Sequence, residues 1–275
     1  MKKVSMLVKG AMFAGMSLVA TSSMASHIPN PTFNILAFDM DLSAYGIAAE
    51  NFTNLDTMVY TYEAEVDQSA GVFSETGLIR FSSFLDATTG NVVGPFVPSN
   101  YLVYALFSVG GTVAANGAQV DVTFNSFSLD IWVDDNSDTT FTAPTIGGVN
   151  ESYSVTGGAM DDVNILSGQY VIGGAHVTAG LAGGDYASIF EVTSYDTNVW
   201  GGDAFNTAFN EVTWGDFNGN NSSIIGVGGA GSNFTDALIE GSGGMTFAID
   251  VPEPATLALF GLGLMGLCGV KRRNS

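Results

Sequence analysis

The side chains best placed to do chemistry in this chain are oxygen donors. Asp134, Asn136 and Asp138 stand at positions 1, 3 and 5 of a calcium-type loop, and Asp216, Asn218 and Asn220 repeat the spacing. Hard oxygens at alternate positions converge on one divalent ion when such a loop curls. Position 6 is Thr139 rather than glycine and position 12 is Thr145 rather than glutamate, so the competing reading is a plain acidic turn. No cofactor is required, and calcium is the one metal the pattern suggests. Catalytic groups are scarce. Between the two chain ends there is no lysine or cysteine, and histidine is limited to His27 and His176. Gly-x-Ser-x-Gly does not occur there either. His176 reads as an ordinary strand residue. A glycosidase pair needs only two carboxylates across a cleft, and 27 acids nominate none in particular. The expectation is a protein that is not an enzyme. Trp132, Trp200 and Trp214 are candidate stacking platforms for a sugar; Trp132 shares a strand face with Ser128 and Asp130, so it is the one expected at the surface.

Two glycine motifs mislead. Gly261-x-Gly263-x-x-Gly266 matches a dinucleotide fingerprint but lies in an apolar tail without a βαβ context. Gly228-Gly229-Ala230-Gly231-Ser232-Asn233 resembles one turn of a calcium β-roll, a fold that needs stacked copies.

The elements that must position these groups are strands. Met58, Tyr60, Tyr62, Ala64 and Val66 fall on one face of a period-two run, with mostly polar residues on the other. Gly77 opens a second run to Leu85. Tyr101 to Val109 is apolar almost throughout, which fits a strand covered on both faces. Val120, Val122 and Phe124 occupy even positions, whereas Phe127, Leu129, Ile131 and Val133 occupy odd ones. Strict alternation changes phase only through an extra residue, so a β-bulge is predicted at Asn125-Ser126, letting one strand serve two sheets. Further strands are predicted around 169–178, 185–195 and 245–251, and 220–244 reads as a loose Gly-, Ser- and Asn-rich loop. The expected fold class is all-β, an antiparallel β-sandwich of jelly-roll or Greek-key type, over residues 26–250.

Both ends read as targeting segments. Residues 1–25 carry Lys2, Lys3 and Lys9, an apolar stretch, and Ser23-Met24-Ala25, which places signal cleavage between Ala25 and Ser26. Residues 251–275 hold Pro252-Glu253-Pro254, an uncharged run from Ala255 to Val270, and Lys271-Arg272-Arg273. As a helix the run spans roughly 24 Å, short of a bilayer core of about 30 Å, which suits a temporary stop in the inner membrane. The basic cluster stays on the cytoplasmic side. Six of the seven basic residues lie in these ends, whereas all 27 acids lie between Asp39 and Glu253. A chain cut after Ala25 and just beyond Glu253 therefore has a formal charge of 1 − 27 = −26. Such a polyanion repels phosphate backbones, which excludes nucleic acid as a partner, and it attracts cations.

The order Pro-Glu-Pro, apolar helix, basic cluster closely resembles the PEP-CTERM sorting signal of Gram-negative bacteria. The resemblance implies cutting near the tripeptide by an exosortase, a membrane-embedded cysteine protease, and export to the cell surface or extracellular matrix. Within the body, Tyr101-Leu102-Val103-Tyr104-Ala105-Leu106-Phe107, Gly110-Gly111-Thr112, Leu129-Asp130-Ile131-Trp132-Val133-Asp134, Asp138-Thr139-Thr140-Phe141 and Leu166-Ser167-Gly168 are similar to the flocculation-associated PEP-CTERM proteins. That likeness implies a secreted, non-catalytic protein that promotes floc or biofilm formation through extracellular polysaccharide. The alternative on the same scaffold is a carbohydrate-binding module or glycoside-active enzyme. Asn51, Asn150, Asn221 and Asn233 stand in Asn-x-Ser/Thr sequons.

Overall fold

The computed structural model describes residues 35–47, 51–95, 101–116, 119–145, 152–158, 161–178, 183–205, 212–227 and 235–249. In chain order its strands are β1 (Phe38–Asp41), β2 (Asn51–Ser69), β3 (Val72–Asp86), β4 (Val92–Pro95), β5 (Leu102–Asn116), β6 (Gln119–Asp134) and β7 (Thr140–Thr142). These are followed by β8 (Ser154–Gly157), β9 (Val163–Thr178), β10 (Gly184–Tyr195), β11 (Trp200–Gly202), β12 (Thr213–Val227) and β13 (Asp236–Ile249). The class is all-β, as expected, but the architecture is a closed barrel and not a sandwich. Strands β2, β3, β5, β6, β9, β10, β12 and β13 pair antiparallel in chain order, and β13 returns to β2 from Asp236↔Asp67 to Thr246↔Thr57. The physical reason lies in β2, which has 19 residues and pairs along most of its length with β3 on one edge and β13 on the other. A ring in which every strand has two partners leaves no edge at which to divide into two sheets. Short β1 and β11 extend from β2, β4 from β3, and β7 pairs with β8 in a separate ribbon.

A bulge stands where the phase change predicts one. Gly110 pairs with Ser126 and Gly111 with Phe124, leaving Asn125 as the extra residue on β6. Phe124, Phe127, Leu129, Ile131 and Val133 are consequently all buried, and Val120 with them. In a barrel the bulge bends and coils the strand within one sheet instead of passing it to a second.

The inner face is aromatic and the outer face polar. Tyr60 stacks on Phe217 at 4.7 Å, and Phe127 lies 6.0 Å from Phe217 across the interior. Outside stand Glu63, Asp121, Asp130, Asp185, Glu191 and Glu240, interleaved with inward apolar residues. This is the reverse of a lipid-facing barrel, which carries an apolar band outside. Among the described residues no helix is long and apolar enough to cross a membrane. The expected signal helix and C-terminal membrane helix lie outside the described residues.

The Gly- and Asn-rich stretch expected as a loop over 220–244 is strand up to Val227 and again from Asp236. Two of its glycines, Gly241 and Gly243, are inward residues that make room for rings. Gly241 faces Tyr62 and Gly243 faces Tyr60 across the β2–β13 pair, where an added Cβ would meet those rings at 2.3 and 2.8 Å. One end of the barrel is stoppered by Phe38, Phe84, Trp200, Phe205 and Phe247, with Phe38 5.2 Å from Phe247 and Trp200 5.0 Å from Phe205. The expectation that β5 is covered on both faces holds at Tyr104, which is 1% exposed on the outer face and packs on Phe141 of the β7–β8 ribbon at 4.9 Å.

Candidate functional site

Three places in the fold gather groups that could act: the outer carboxylate face, the turn after β6, and the barrel interior. On the outer face Arg80 is the one Lys or Arg among the described residues. Its Nη1 meets Glu63 Oε1 at 3.0 Å, and its guanidinium lies 5.4 Å from the centre of the Phe141 ring. The remaining outer carboxylates of the strands therefore have no arginine or lysine to pair with. His176, on β9, pairs through Nδ1 with Asp121 Oδ1 at 2.9 Å, a cross-strand contact with no nucleophile in it.

The turn after β6 holds the first calcium-type triplet. Asp134 is buried, and its Oδ1 accepts from the Asn136 amide at 3.1 Å while Oδ2 accepts from the Thr139 amide at 2.9 Å. Asn136 Oδ1 accepts from the Asp138 amide at 3.0 Å, and its Nδ2 donates to Asp161 Oδ2 at 3.0 Å. The oxygens at positions 1 and 3 thus close the turn on its own amides. Burial raises the Asp134 carboxyl, but the Thr139 and Asn136 amides outweigh it and hold the group below its ordinary value. Asp138 is raised by burial and by Asp161, Asp134 and Asp162. No group of three His, Cys, Asp or Glu among the described residues is arranged to hold an ion. The second triplet is not a loop. Asp216, Asn218 and Asn220 lie along β12, where alternate residues stand about 6.8 Å apart and cannot meet at one ion. Burial pushes the Asp216 carboxyl up to about 6, against the Asn218 Nδ2 hydrogen bond at 3.2 Å.

The tryptophans separate as follows. Trp200 belongs to the aromatic stopper, 3% exposed, its Nε1 donating to the Ile165 carbonyl at 2.7 Å. Trp132 is half-buried on the outer face of β6, between Tyr104 and Asn164 on the neighbouring strands. Beside it Ser167 Oγ donates to Asp130 Oδ1 at 2.6 Å. Trp214 is half-buried on β12. Of the sequons, Asn221 points inward, 8% exposed, and accepts a hydrogen bond from the Tyr62 hydroxyl, so it has no room for a glycan.

The barrel interior contains the group that sequence reasoning missed. Toward the end opposite the aromatic stopper lies a cavity of about 60 Å³. Its walls include Val66, Phe73, Val109, Phe124 and Val177, and its polar groups are Glu75, Ser188, Tyr62, Tyr186 and Asn221. Tyr186 donates to the Tyr60 hydroxyl at 2.8 Å and Tyr60 to the Asn218 carbonyl at 2.9 Å, so these rings are committed. Burial pushes the Glu75 carboxyl up to about 8, with the nearby Glu65 adding to the rise. The signal was present in the sequence: Phe73, Glu75, Gly77, Ile79 and Phe81 form one alternating row, and every other member of that row is inward.

The sorting residues Pro252, Glu253, Pro254, Lys271, Arg272 and Arg273, and the cleavage residues Ala25 and Ser26, lie outside the described residues. No curated protein and no solved structure matches the chain. Residues 250–273 match the family model of the PEP-CTERM protein-sorting motif, so the chain carries a PEP-CTERM sorting signal, and a signal of this kind implies export and processing by an exosortase.

Proposed function

We propose that this exported barrel is a non-catalytic, adhesive or structural protein of the extracellular polysaccharide matrix that promotes floc or biofilm formation. The observation that carries the reading is the outer face, a carboxylate surface whose one arginine is already engaged by Glu63. Such a surface repels acidic polymers until divalent cations bridge carboxylate to carboxylate. Calcium is the bridging ion in this reading, with Asp138 and Asp161 at the β6 turn among its contacts. The stretches similar to flocculation-associated proteins support the same role. Tyr101–Phe107 and Leu129–Asp134 are neighbours on β5 and β6, with Val103↔Val133 and Phe107↔Leu129 in register.

Deleting the gene tests the proposal. Flocs are expected to disperse while polysaccharide is still secreted, and re-expression is expected to restore them only with millimolar calcium present. Unchanged aggregation in the deletion strain refutes the role. A carbohydrate-binding reading is favoured by Trp132, an outward indole beside the Asp130–Ser167 hydrogen bond. Trp132→Ala that loses polysaccharide binding while the barrel remains folded would select this reading.

A further inference from the structure

We propose that the cavity inside the barrel binds a small uncharged molecule, apolar in body and carrying one hydroxyl or carbonyl oxygen, which Glu75 and Ser188 engage. Eight strands enclose an interior just wide enough to be filled by side chains or to hold one small ligand. Here the filling is incomplete, by about 60 Å³. That volume takes roughly two waters, or about three to four non-hydrogen atoms at close packing.

Two polar groups on the wall have no partner. Ser188 is 1% exposed and its Oγ makes no hydrogen bond. The half-buried Glu75 faces the same space, and no hydrogen bond among the described residues involves it. A buried polar group left unmatched costs stability, so Ser188 Oγ on the cavity wall, with Glu75 facing the same cavity, marks where an occupant's oxygen belongs. The other polar groups are spoken for: Tyr62 donates to Asn221, and Tyr186 donates to Tyr60.

The wall also sets the ligand's charge. No Lys, Arg or His lines the cavity, so a carboxylate or phosphate would enter unpaired next to Glu75. An ammonium would require Glu75 to ionise inside an apolar enclosure, and burial holds that carboxyl protonated up to about pH 8. A neutral oxygen fits both groups, because a protonated carboxyl and a serine hydroxyl can each donate and accept.

The test uses the exported, processed protein and three probes on one carbon skeleton: 1-propanol, propanoate and propylammonium. Binding is followed by two-dimensional amide spectra. Propanol is expected to shift the resonances of Glu75, Ser188 and Val109 saturably at pH 6, with propanoate producing no saturable shift there. Propylammonium is expected to bind at least about tenfold more weakly, reflecting the cost of an ion pair in an apolar enclosure. Raising the pH to 9 should weaken propanol binding to the native protein and leave Glu75→Gln unaffected. Ser188→Ala should weaken it about fivefold, the loss of one neutral hydrogen bond. The same spectra report whether each variant is folded, and Glu75→Gln alone suffices if Ser188→Ala is not. A cavity that keeps its water and takes up no propanol overturns the proposal. Equal responses to all three probes, or binding that ignores both variants and pH, overturns it too.

Discussion

Replacing Glu75 by glutamine removes an ionisable group from the barrel interior without changing its shape, and the effect should appear only above the ordinary carboxylate range. Burial raises this carboxyl from 4.5 to about 8 in the folded protein. Below 4.5 the group is protonated in both folded and unfolded chains and contributes nothing that depends on pH. Between 4.5 and about 8 the folded chain holds a proton that the unfolded chain has released, so stability falls as pH rises through this window. Above it both forms are ionised and the folded state bears the whole penalty. At about 1.36 kcal/mol per unit, the full rise corresponds to about 5 kcal/mol. Water entering the cavity solvates the ionised carboxylate, which brings the expectation to about 2 to 5 kcal/mol.

Urea unfolding of the native protein and Glu75→Gln, followed by tryptophan fluorescence from pH 4 to 9, measures this directly. The two midpoints should coincide at pH 4 and separate by about 1 to 2 M at pH 9, with the variant the more stable, for a slope of about 2 to 3 kcal/mol/M. General repulsion among the outer carboxylates also weakens the fold as pH rises, but it acts on both proteins and cancels in the difference. So does Asp216, whose rise to about 6 belongs to both. Midpoints that stay parallel across the range refute the reasoning, because Glu75 would then be solvated or partnered as well in the fold as out of it.

Other consequences are local. Gly215→Ala should destabilise the barrel by about 1 to 3 kcal/mol, since an added Cβ would lie 2.0 Å from Phe190 Cζ. Calorimetry of that variant combined with Phe190→Leu should show the two changes to be strongly non-additive. Deleting Asn125 removes the bulge and turns one half of β6 inside out, so far-UV circular dichroism should show a loss of folded barrel that Asn125→Gly does not share. Asp134→Ala strips the acceptor from the Asn136 and Thr139 amides and should cost about 1 to 3 kcal/mol at neutral pH. Because the Asp134 carboxyl is held below 3.8, that cost should shrink in urea titrations as pH falls through its lowered value.

Strand positions and faces were legible because alternation is a local property. The rows Met58–Val66 and Phe127–Val133 point where their periodicity says, and the bulge at Asn125 follows from the phase change between Val120–Phe124 and Phe127–Val133. Closure was not legible, because a sandwich and a barrel share the same antiparallel hairpins and differ only in whether β13 returns to β2. Strand length was a usable hint. Strands of 14 to 19 residues such as β2, β5 and β13 are long for a sandwich, where about 5 to 6 is common. The stretch from Asn220 to Gly244 reads as a loop in the sequence because glycine there counts as a breaker. In Gly241 and Gly243 it is the small partner of a large ring, a relation that shows only once Tyr60 and Tyr62 are known to lie across the ladder.

Glu75 and the cavity beside it depend on the same position in the fold. Among the described residues Arg80 is the one Lys or Arg, so each carboxylate must find water or lose its charge. Alternation puts most of them on the outer face, and Glu75 stands instead in the inward row with Phe73, Gly77, Ile79 and Phe81. A leucine at that position would fill part of the space and remove the ionisation penalty together. The acid therefore destabilises the barrel twice, through unfilled volume and through pH-dependent charge, and neither cost serves export, sorting or the outer carboxylate surface. Both are accounted for if an oxygen from outside the chain completes the hydrogen bonds of Glu75 and Ser188.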